Sequence, residues 1–470
     1  MKMLIAGGWT DKDERIEVRN PFDDSLIDTV PSADASDVEK ALASAVRGFE
    51  EMRRLSARER SDILANAAGL LAQRSDEFVT TLAKEVGKTL REAQNEVGRA
   101  VQTIRIASEE AKRISGETVP FDATPGAEAK IGFYMRVPVG VVLAITPFNV
   151  PLNLACHKVA PAIAAGNSVI LKPATATPLA DLMLGQMLLD AGLPPEGINI
   201  ITGSGGTLGK LLISDPRVRM VTFTGSPEVG ESITKTAGLK KTAMELGSNS
   251  CAIVMDDADI DDAAARIRQG GYAIAGQVCI SVQRIIVHGG VYDEFLEKFV
   301  PLVASIRTGN QLDSSTDMGP MISDEAAKRV ETWIKEAVSA GAKALLPVER
   351  EGALLKPTVL TDVSCDAKVW TEEAFGPLVS VVRCRDFDHA IELANASKYG
   401  LQAGVFTRNL SHALRAAREI EVGGVIVNDA PSFRTDPMPY GGVKMSGFGR
   451  EGPRFAIEEM TELRLVAFQM

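Results

Sequence analysis

The chain has 470 residues, which is enough for two or three domains with large cores, and its content of 45% hydrophobic and 24% charged residues is typical of soluble globular proteins. The formal net charge of −11, with basic residues scattered along the chain, argues against nucleic acid or an anionic membrane as a partner. Five cysteines without a CxxC pair and four histidines without metal-ligand spacing argue against a disulfide framework or a metal site, and the N-terminus lacks a signal peptide, so we expect a cytoplasmic protein.

The spacing of apolar residues in the first quarter of the chain predicts helices between about residues 35 and 115. Apolar residues recur there at three- and four-residue spacing among charged ones, as at Leu64, Ala67 and Leu71. Residues 118–137 are rich in Pro, Gly and alternating apolar positions, which predicts a hairpin or an extended arm, with a plain surface loop as the alternative.

From residue 140 onward, short apolar strands alternate with helices. Runs of apolar, often β-branched residues predict strands at 141–145, 168–171, 198–201, 284–288 and 378–382. Helices are predicted at 178–191 and 206–213, and a second alternating stretch covers 251–428. This alternation predicts an α/β protein with two lobes, built on parallel, doubly wound sheets that helices cover on both faces.

A cysteine and a glutamate stand out as a candidate catalytic pair. Cys279 lies between a Gly-Gln turn and a β-branched run, and Glu245 ends a strand-like segment upstream. A thiolate is the attacking form of cysteine, and a neighbouring base makes it available. The alternative is a buried cysteine with a structural role only.

Five further motifs occur along the chain. They are Thr-Pro-Phe-Asn-Val-Pro at 146–151, Leu-Lys-Pro-Ala at 171–174, Phe-Thr-Gly-Ser at 223–226, Glu-Ala-Phe-Gly-Pro at 373–377 and Pro-Tyr-Gly-Gly-Val-Lys at 439–444. These five motifs, together with Glu245 and Cys279, occur in the order and at the spacing typical of one family. The chain closely resembles the NAD(P)-dependent aldehyde dehydrogenase superfamily over nearly its whole length. Within that superfamily it resembles lactaldehyde and short-chain semialdehyde dehydrogenases most.

The resemblance implies an aldehyde-dehydrogenase-like fold of two doubly wound α/β domains and a small β oligomerisation element. The dinucleotide-binding domain would comprise 1–117 and 139–247, and the catalytic domain with the nucleophilic cysteine would comprise 248–445. Residues 118–138 and 455–470 would form the oligomerisation element of a homodimer or homotetramer.

The turn 225–230 is the candidate site for the cofactor's phosphates. It follows a strand and begins a helix, whose N-terminus favours negative charge. Gly225 lets the phosphates approach the backbone closely, Ser226 offers a hydroxyl donor, and Gly230 follows in the helix. A turn without a ligand is the alternative. Lys172 follows a buried strand and would reach ribose hydroxyls, unless it is a solvated surface lysine.

The cofactor implied by the resemblance is NADP or NAD. Relatives that prefer NAD often carry a glutamate at the position of Thr175, which repels a 2′-phosphate, so Thr175 permits NADP and possibly both cofactors. Glu373 and Phe375 match residues that hold the nicotinamide ribose and ring, with a helix-capping or core role as the alternative. The resemblance assigns further cofactor contacts to Thr146, Pro147, Phe148, Ala174, Gly205, Phe223 and Leu246.

The chemistry implied is oxidation of an aldehyde to a carboxylic acid. Cys279 would attack the aldehyde, Asn149 and the Cys279 backbone N–H would stabilise the oxyanion, and the thioester left by hydride transfer would be hydrolysed by water that Glu245 activates. The CoA-acylating branch lacks this glutamate, so Glu245 favours a free acid. A CoA-acylating semialdehyde dehydrogenase and a non-catalytic binding protein on the same fold remain as alternatives.

The substrate is expected to be a small polar, anionic aldehyde. Val150, Leu154 and His157 have helical spacing and would face one wall of the entry tunnel. Relatives that prefer apolar aldehydes often have aromatic residues near the positions of His157 and Arg434, so a histidine and an arginine there indicate a polar or anionic group. His157 capping its helix and Arg434 pairing with Asp436 are the alternatives. Ile280 and Tyr440 complete the predicted substrate residues, and lactaldehyde, succinate semialdehyde and sulfo- or phospho-substituted aldehydes all fit.

Overall fold

The computed structural model describes residues 1–470 and contains two large sheets covered by helices. The first sheet has five parallel strands at its centre. Their spatial order is Ile198–Ile200, Ser168–Lys172, Val141–Ile145, Val218–Thr224 and Lys241–Glu245. Among these five parallel strands, the first in sequence is the central one, and the next strands are added first on one side and then on the other. Open α/β sheets bind ligands beyond the carboxyl ends of the strands at such a reversal, which here is the end of Val141–Ile145.

Antiparallel strands extend the first sheet at both edges. Met3–Ile5 and Gly8–Thr10 form a hairpin that joins one edge through Leu4. At the other edge, the late strand Gly447–Phe448 pairs with Met244 and Glu245. This second pairing fixes the strand end that carries the candidate base.

Helices from the N-terminal region and from the strand connections cover the first sheet. They are Ala35–Met52, Ala57–Gln73, Ser75–Val86, Leu90–Ala111, Pro151–Ala165, Leu179–Asp190, Gly205–Ser214, Pro227–Ala237 and Pro453–Glu459. Capping boxes begin three of the first four helices, at Asp34, Ser56 and Thr89, because each side chain accepts a backbone N–H that the first helical turn leaves free. Burial of apolar side chains such as Leu64 and Leu71 stabilises this layer by roughly 1.5–3 kcal/mol for each large residue.

The second sheet has seven strands. Their spatial order is Lys343–Ala344, Thr358–Thr361, Leu378–Cys384, Val282–His288, Ser250–Val254, Gln402–Phe406 and Gly424–Val427. All neighbours are parallel except the first pair. The remaining helices are Ile260–Tyr272, Tyr292–Ala304, Asp324–Ser339, Lys368–Thr371, Phe387–Asn395 and Leu410–Glu419, with short 3₁₀ turns at Phe121–Ala123, Pro195–Gly197 and Ala273–Gly276. None of the helices combines the length and the apolar content needed to span a membrane.

A three-stranded antiparallel sheet stands apart from the two large ones. Lys130–Pro138 lies between Glu117–Val119 and the C-terminal strand Thr461–Gln469, and it pairs with the latter over its whole length. Three two-stranded ribbons complete the fold: Arg15–Arg19 with Leu26–Pro31, Arg350–Glu351 with Leu354–Leu355, and Tyr399–Gly400 with Val443–Lys444.

The elements predicted from the sequence are confirmed. The helical first quarter, the hairpin after it, the alternating strands and helices and the two parallel sheets all lie within a few residues of the expected positions. The pairing of the last strand with the hairpin, expected only from the resemblance, is also present. The domain boundaries remain a prediction, and the strand Gly447–Phe448, which joins the first sheet, lies outside the three regions assigned there.

Candidate functional site

Cys279 lies in a loop whose backbone conformation is fixed from several sides. The loop connects the 3₁₀ turn Ala273–Gly276 to the strand Val282–His288, and Ile274 and Ala275 have left-handed φ angles of 52° and 53°. Such angles are unfavourable for residues with a Cβ and persist only where neighbours hold them. The Ile274 N–H donates to Glu92 Oε1 at 2.7 Å, and the Gln277 side chain donates to the Ile274 carbonyl at 3.1 Å.

Tyr440 connects the thiol of Cys279 to the carboxylate of Glu245. Its hydroxyl lies 2.9 Å from Cys279 Sγ and donates to Glu245 Oε1 at 3.4 Å, while Glu245 Oε2 is buried without a partner. Burial and the charge of Glu451 raise the pKa of Glu245 to about 7. Burial and the charge of Glu245 raise the pKa of the Cys279 thiol well above its usual range. The resting pair is therefore a thiol beside a carboxyl group that changes its charge near neutral pH.

Asn149 lies in the loop that follows the strand Val141–Ile145, on the same cavity as Cys279. Its side-chain N–H donates to the Gln277 carbonyl at 2.8 Å, and its Oδ1 accepts the Val150 N–H at 3.0 Å. The amide is thus fixed on the loop of the nucleophile. A side-chain amide carries two N–H donors, so one remains for an oxygen atom on a group bound to Cys279.

A buried ion network lies behind Tyr440. Glu451 Oε1 accepts from Lys158 Nζ at 2.8 Å, and its Oε2 accepts from Arg434 Nη2 at 2.9 Å. The Arg434 guanidinium also lies over the Tyr440 ring, 3.6 Å from the centroid. Although burial opposes ionisation, the charges of Lys158 and Arg434 hold the pKa of Glu451 below its usual range. Arg434 therefore pairs with Glu451 and not with Asp436, which was the alternative that the sequence left open.

A cavity of about 170 Å³ opens onto Cys279. Of the predicted substrate residues, Val150, Leu154, Ile280, Arg434 and Tyr440 line it. Two arginines of its wall, Arg99 and Arg434, each have a buried Nε without a hydrogen-bond partner. The wall of the cavity therefore carries positive charge that the protein's own acceptors satisfy only in part.

The expectation for His157 is wrong. The side chain is fully buried behind the wall, where Nε2 lies 3.1 Å from Asp436 Oδ1 and 3.4 Å from the Thr103 hydroxyl. The same Asp436 oxygen accepts from Arg99 Nη2 at 2.7 Å. Burial and the charge of Arg434 lower the pKa of His157, so it is neutral near pH 7. It supports the wall and does not line it, because the helix Pro151–Ala165 turns that position toward Leu90–Ala111.

The residues predicted for the cofactor lie at the carboxyl ends of the first sheet. Lys172 is buried, which lowers its pKa to about 8, and its Nζ donates only to the Pro173 carbonyl. A Cβ added at Gly205 would lie 3.9 Å from this Nζ. Thr175 donates to the Gly203 carbonyl at 3.2 Å, and Ala174 lies between the two side chains in sequence. Lys172, Thr175 and the N-terminus of the helix Gly205–Ser214 thus form one cluster of donors.

The turn that follows Val218–Thr224 forms the second cluster. Ser226 caps the helix Pro227–Ala237 by accepting the Val229 N–H. A Cβ at Gly225 would lie 2.4 Å from the Phe223 ring, and one at Gly230 would lie 2.5 Å from Leu246. A larger residue at either glycine would displace a neighbouring side chain, so packing within the chain favours glycine at both positions.

Glu373 and Phe375 lie beside these clusters. Burial raises the pKa of Glu373 to about 8, and its Oε1 accepts the Ser248 N–H at 2.8 Å. Phe375 has a φ of 47° and packs edge-on against Phe148, with ring centroids 5.7 Å apart. The Thr146 hydroxyl donates to the buried Asp181 at 2.9 Å, and the contact of Thr146 with a cofactor stays a prediction.

Sequence reasoning missed the part of the cavity wall that comes from the helix Leu90–Ala111. Glu92, Asn95, Glu96 and Arg99 line the cavity, together with the buried Lys88, which is ion-paired with Glu96. The sequence did contain a signal. Polar residues at 92, 96, 99 and 103 recur at helical spacing beside the apolar stripe of the same helix, and a second, polar stripe with buried members indicates a lined cavity.

Comparison with known proteins gives a consistent result. The sequence profile of the Aldehyde dehydrogenase family matches residues 9–466. The 3-sulfolactaldehyde dehydrogenase of Priestia aryabhattai is 50% identical over 468 residues, which cover 100% of this chain and 98% of that protein.

Two crystal structures are similar over the whole chain. Aldehyde dehydrogenase 21 from Physcomitrella patens, in complex with the reaction product succinate, has a TM-score of 0.97 at 39% identity and covers 100% of this chain and 98% of its own. Glyceraldehyde-3-phosphate dehydrogenase GapN from Methanocaldococcus jannaschii, complexed with NADP, has a TM-score of 0.94 at 38% identity, with 98% and 100% covered.

The buried ion network predicts a large loss of stability when one partner is removed. Lys158→Met should destabilise the protein by about 3–5 kcal/mol, because Glu451 keeps its charge in the core with only one cation left. Lys235→Met is the matched control, since Lys235 pairs with Glu231 on the surface, and it should change stability by less than about 1 kcal/mol. Thermal and denaturant unfolding of both variants measure the difference, and equal midpoints would contradict a stabilising role for the network.

Proposed function

Because this chain belongs to the aldehyde dehydrogenase family and is an NAD(P)-dependent aldehyde dehydrogenase, we propose that it oxidises a short aldehyde with an anionic group at its far end to the carboxylic acid. The observation that carries this proposal is the pair of arginines on the cavity of the nucleophile. Arg99 and Arg434 line that cavity with Cys279, and each retains a buried Nε without a partner.

The anion would be held by charge-assisted hydrogen bonds. Guanidinium groups match carboxylate, sulfonate and phosphate oxygens, and such contacts are about twice as strong as neutral ones. Arg99 and Arg434 are themselves anchored, by Asp436 and Glu451 respectively, so little side-chain entropy is lost on binding. A terminal sulfonate or carboxylate fits these donors, which agrees with the names of the relatives that act on 3-sulfolactaldehyde or release succinate.

Cys279 is the proposed nucleophile and Asn149 the proposed oxyanion donor. Attack of the sulfur on the aldehyde carbon gives a thiohemiacetal, whose oxygen lies within reach of the Asn149 amide and the Cys279 N–H. The nicotinamide, when bound beside Glu373 and Phe375, would supply the hydride acceptor, and Cys279 would then hold the acyl group as a thioester. Glu245, buried beside the sulfur, then takes a proton from the water that releases the acid.

The cofactor would be held by the two clusters at the ends of the first sheet. Lys172 is a buried cation whose only acceptor is a neighbouring carbonyl, and Ser226 with Gly225 begins a helix that points its free N–H groups outward. Glu373 and Phe375 would contact the nicotinamide half. Thr175 carries no negative charge, so the cluster around Lys172 accepts a ribose with or without a 2′-phosphate.

The three-stranded sheet is the proposed oligomerisation element. Ile131 and Phe468 are more than half exposed on one of its faces, and Leu463 and Leu465 are more than half exposed on the other. Apolar residues on both faces of a small sheet leave it without a core of its own, so a second copy of the chain would cover them. A cytoplasmic homodimer or homotetramer follows as the proposed form.

The proposal for the two catalytic side chains predicts opposite kinetic defects. Cys279→Ser should remove aldehyde oxidation altogether while cofactor still binds, because no thiohemiacetal forms. Glu245→Gln should keep a burst of reduced cofactor but slow steady turnover by about 10²–10⁴-fold, because the acyl group forms and is not hydrolysed. Rapid-mixing absorbance at 340 nm separates the two steps, and a Glu245→Gln variant without a burst would contradict the role.

The pKa of Glu245 near 7 also sets the pH dependence of hydrolysis. The carboxylate is the active base, so the rate of deacylation should rise with pH below about 7 and become constant above it, and Glu245→Gln should remove this dependence. The same assays run with CoA test the acylating alternative, which requires CoA for turnover and yields an acyl-CoA.

Thr175 predicts the choice of cofactor. The values of kcat/KM for NADP and NAD should differ modestly or favour NADP. Thr175→Glu should shift their ratio toward NAD by about tenfold, through charge repulsion worth roughly 1–2 kcal/mol. Thr175→Gln is the control that matches size without charge. A strong preference for NAD that neither substitution changes would contradict the prediction.

Arg99 predicts the selectivity for anionic substrates. Arg99→Gln should lower kcat/KM for succinate semialdehyde and 3-sulfolactaldehyde about ten- to a hundredfold, because a charge-assisted contact contributes about 1.5–3 kcal/mol. Propanal should lose little, since it has no anion to hold. Arg105→Gln, an exposed arginine of the same helix, is the control. Equal losses for anionic and neutral aldehydes would point instead to a structural arginine.

A further inference from the structure

Tyr440 contacts both the nucleophile and the base, which also interact directly with each other. Its hydroxyl lies 2.9 Å from Cys279 Sγ and 3.4 Å from Glu245 Oε1. The residue is 1% exposed and lies in the wall of the cavity that opens onto Cys279. The sequence suggested only that Tyr440 lines the substrate tunnel, and the reaction as proposed above leaves its hydroxyl without a role.

The three groups form a continuous chain of hydrogen bonds. A phenol accepts one hydrogen bond and donates another, so the order that fits is thiol S–H to phenol oxygen and phenol O–H to carboxylate. The acceptor at the end is free to take a proton, because the second oxygen of Glu245 has no partner. The charged groups around the chain are Arg434 over the Tyr440 ring, Glu451 with Lys158 behind it, and Glu373 near Glu245.

We propose that Tyr440 is a further catalytic residue, the relay that carries the thiol proton of Cys279 to Glu245 and then stabilises the thiolate. The S–H bond breaks and its proton bonds to the phenol oxygen, while the original phenol proton bonds to Glu245 Oε1. The electron pair of the S–H bond stays on sulfur. The products are a thiolate, a neutral tyrosine whose O–H now donates to the sulfur, and a neutral glutamic acid, so no atom moves except the two protons.

The position of Arg434 favours this transfer. During the double proton shift, negative charge develops on the phenol oxygen and on the sulfur, and a guanidinium 3.6 Å from the ring centroid stabilises both. The rigid chain also places the proton acceptor at the sulfur before substrate arrives. This inference rests on the roles proposed for Cys279 and Glu245.

Tyr440→Phe tests the relay, because it removes the hydroxyl and keeps the ring beneath Arg434. Formation of the acyl-enzyme, measured as the burst in single turnover, should slow about 10- to 100-fold. Hydrolysis of a preformed acyl-enzyme should change less than threefold, since Glu245 serves that step without Tyr440 once it has released the relayed proton to solvent, and KM for the aldehyde should change little. The burst should therefore disappear as acylation becomes limiting, which a general loss of structure would not produce.

Tyr292→Phe is the matched control. Tyr292 is also buried beneath an arginine, with Arg383 3.8 Å from its ring centroid, and its hydroxyl lies 3.5 Å from a backbone carbonyl far from Cys279. Both variants should unfold at similar temperatures, and Tyr292→Phe should keep the burst. A Tyr440→Phe variant with the burst of the unsubstituted protein, or with acylation and hydrolysis slowed equally, would overturn the proposal.

Alkylation of Cys279 by iodoacetamide tests the transfer in the unsubstituted protein. If the proton passes to Glu245, the alkylation rate should become independent of pH above about 7, where Glu245 is ionised and the proton stays within the pair. Glu245→Gln should restore an alkylation rate that keeps rising with pH. Tyr440→Phe should lower the pH-independent alkylation rate about tenfold. A continuous rise in the unsubstituted protein would overturn the relay. Aldehyde oxidation by Cys279→Ser would instead overturn the proposed function, so the two failures are distinct.

Discussion

The ionised Glu451, held between Lys158 and Arg434, is the interaction on which the arrangement of the site depends. It joins three segments that are distant in sequence: the helix Pro151–Ala165, the loop after the second sheet and the C-terminal segment. A buried carboxylate is tolerated only when it is paired and hydrogen-bonded, so both cations must be in place. With them in place, Arg434 covers Tyr440, and Tyr440 lies against Cys279 and Glu245.

The same network explains how two glutamates a short distance apart have different protonation. Glu451 has both cations and remains charged, whereas Glu245 has no cation in contact and accepts only the Tyr440 hydroxyl through one oxygen. Burial and the charge of Glu451 raise the pKa of Glu245, and they outweigh the opposing charges of Arg434 and Lys158. An ordinary glutamate thus titrates near neutral pH because it is buried without a cation in contact.

Much of the fold and the chemical centre was predictable from the sequence because both depend on local patterns. Apolar runs with turn residues between them predicted the strands, and the family resemblance carried by the ordered motifs predicted Cys279 and Glu245 as the catalytic pair. The residues of the cavity wall were harder to predict from the sequence. His157 has the spacing of a wall residue, yet the neighbouring helix Leu90–Ala111 covers it and gives it Asp436 and Thr103 as partners. The partner of Arg434 is Glu451, seventeen positions later, and no local pattern connects them.

The antiparallel strand Gly447–Phe448 has a consequence for the order in which the molecule is made. It holds the end of the strand Lys241–Glu245, and Tyr440, Glu451 and the strand Thr461–Gln469 all follow Gly424–Val427, the last strand of the second sheet. Chains fold from the N-terminus as they leave the ribosome. All seven strands of the second sheet and all but the last strand of the first are therefore synthesised before Gly447–Phe448 can hold Glu245 and before Tyr440 can contact Cys279.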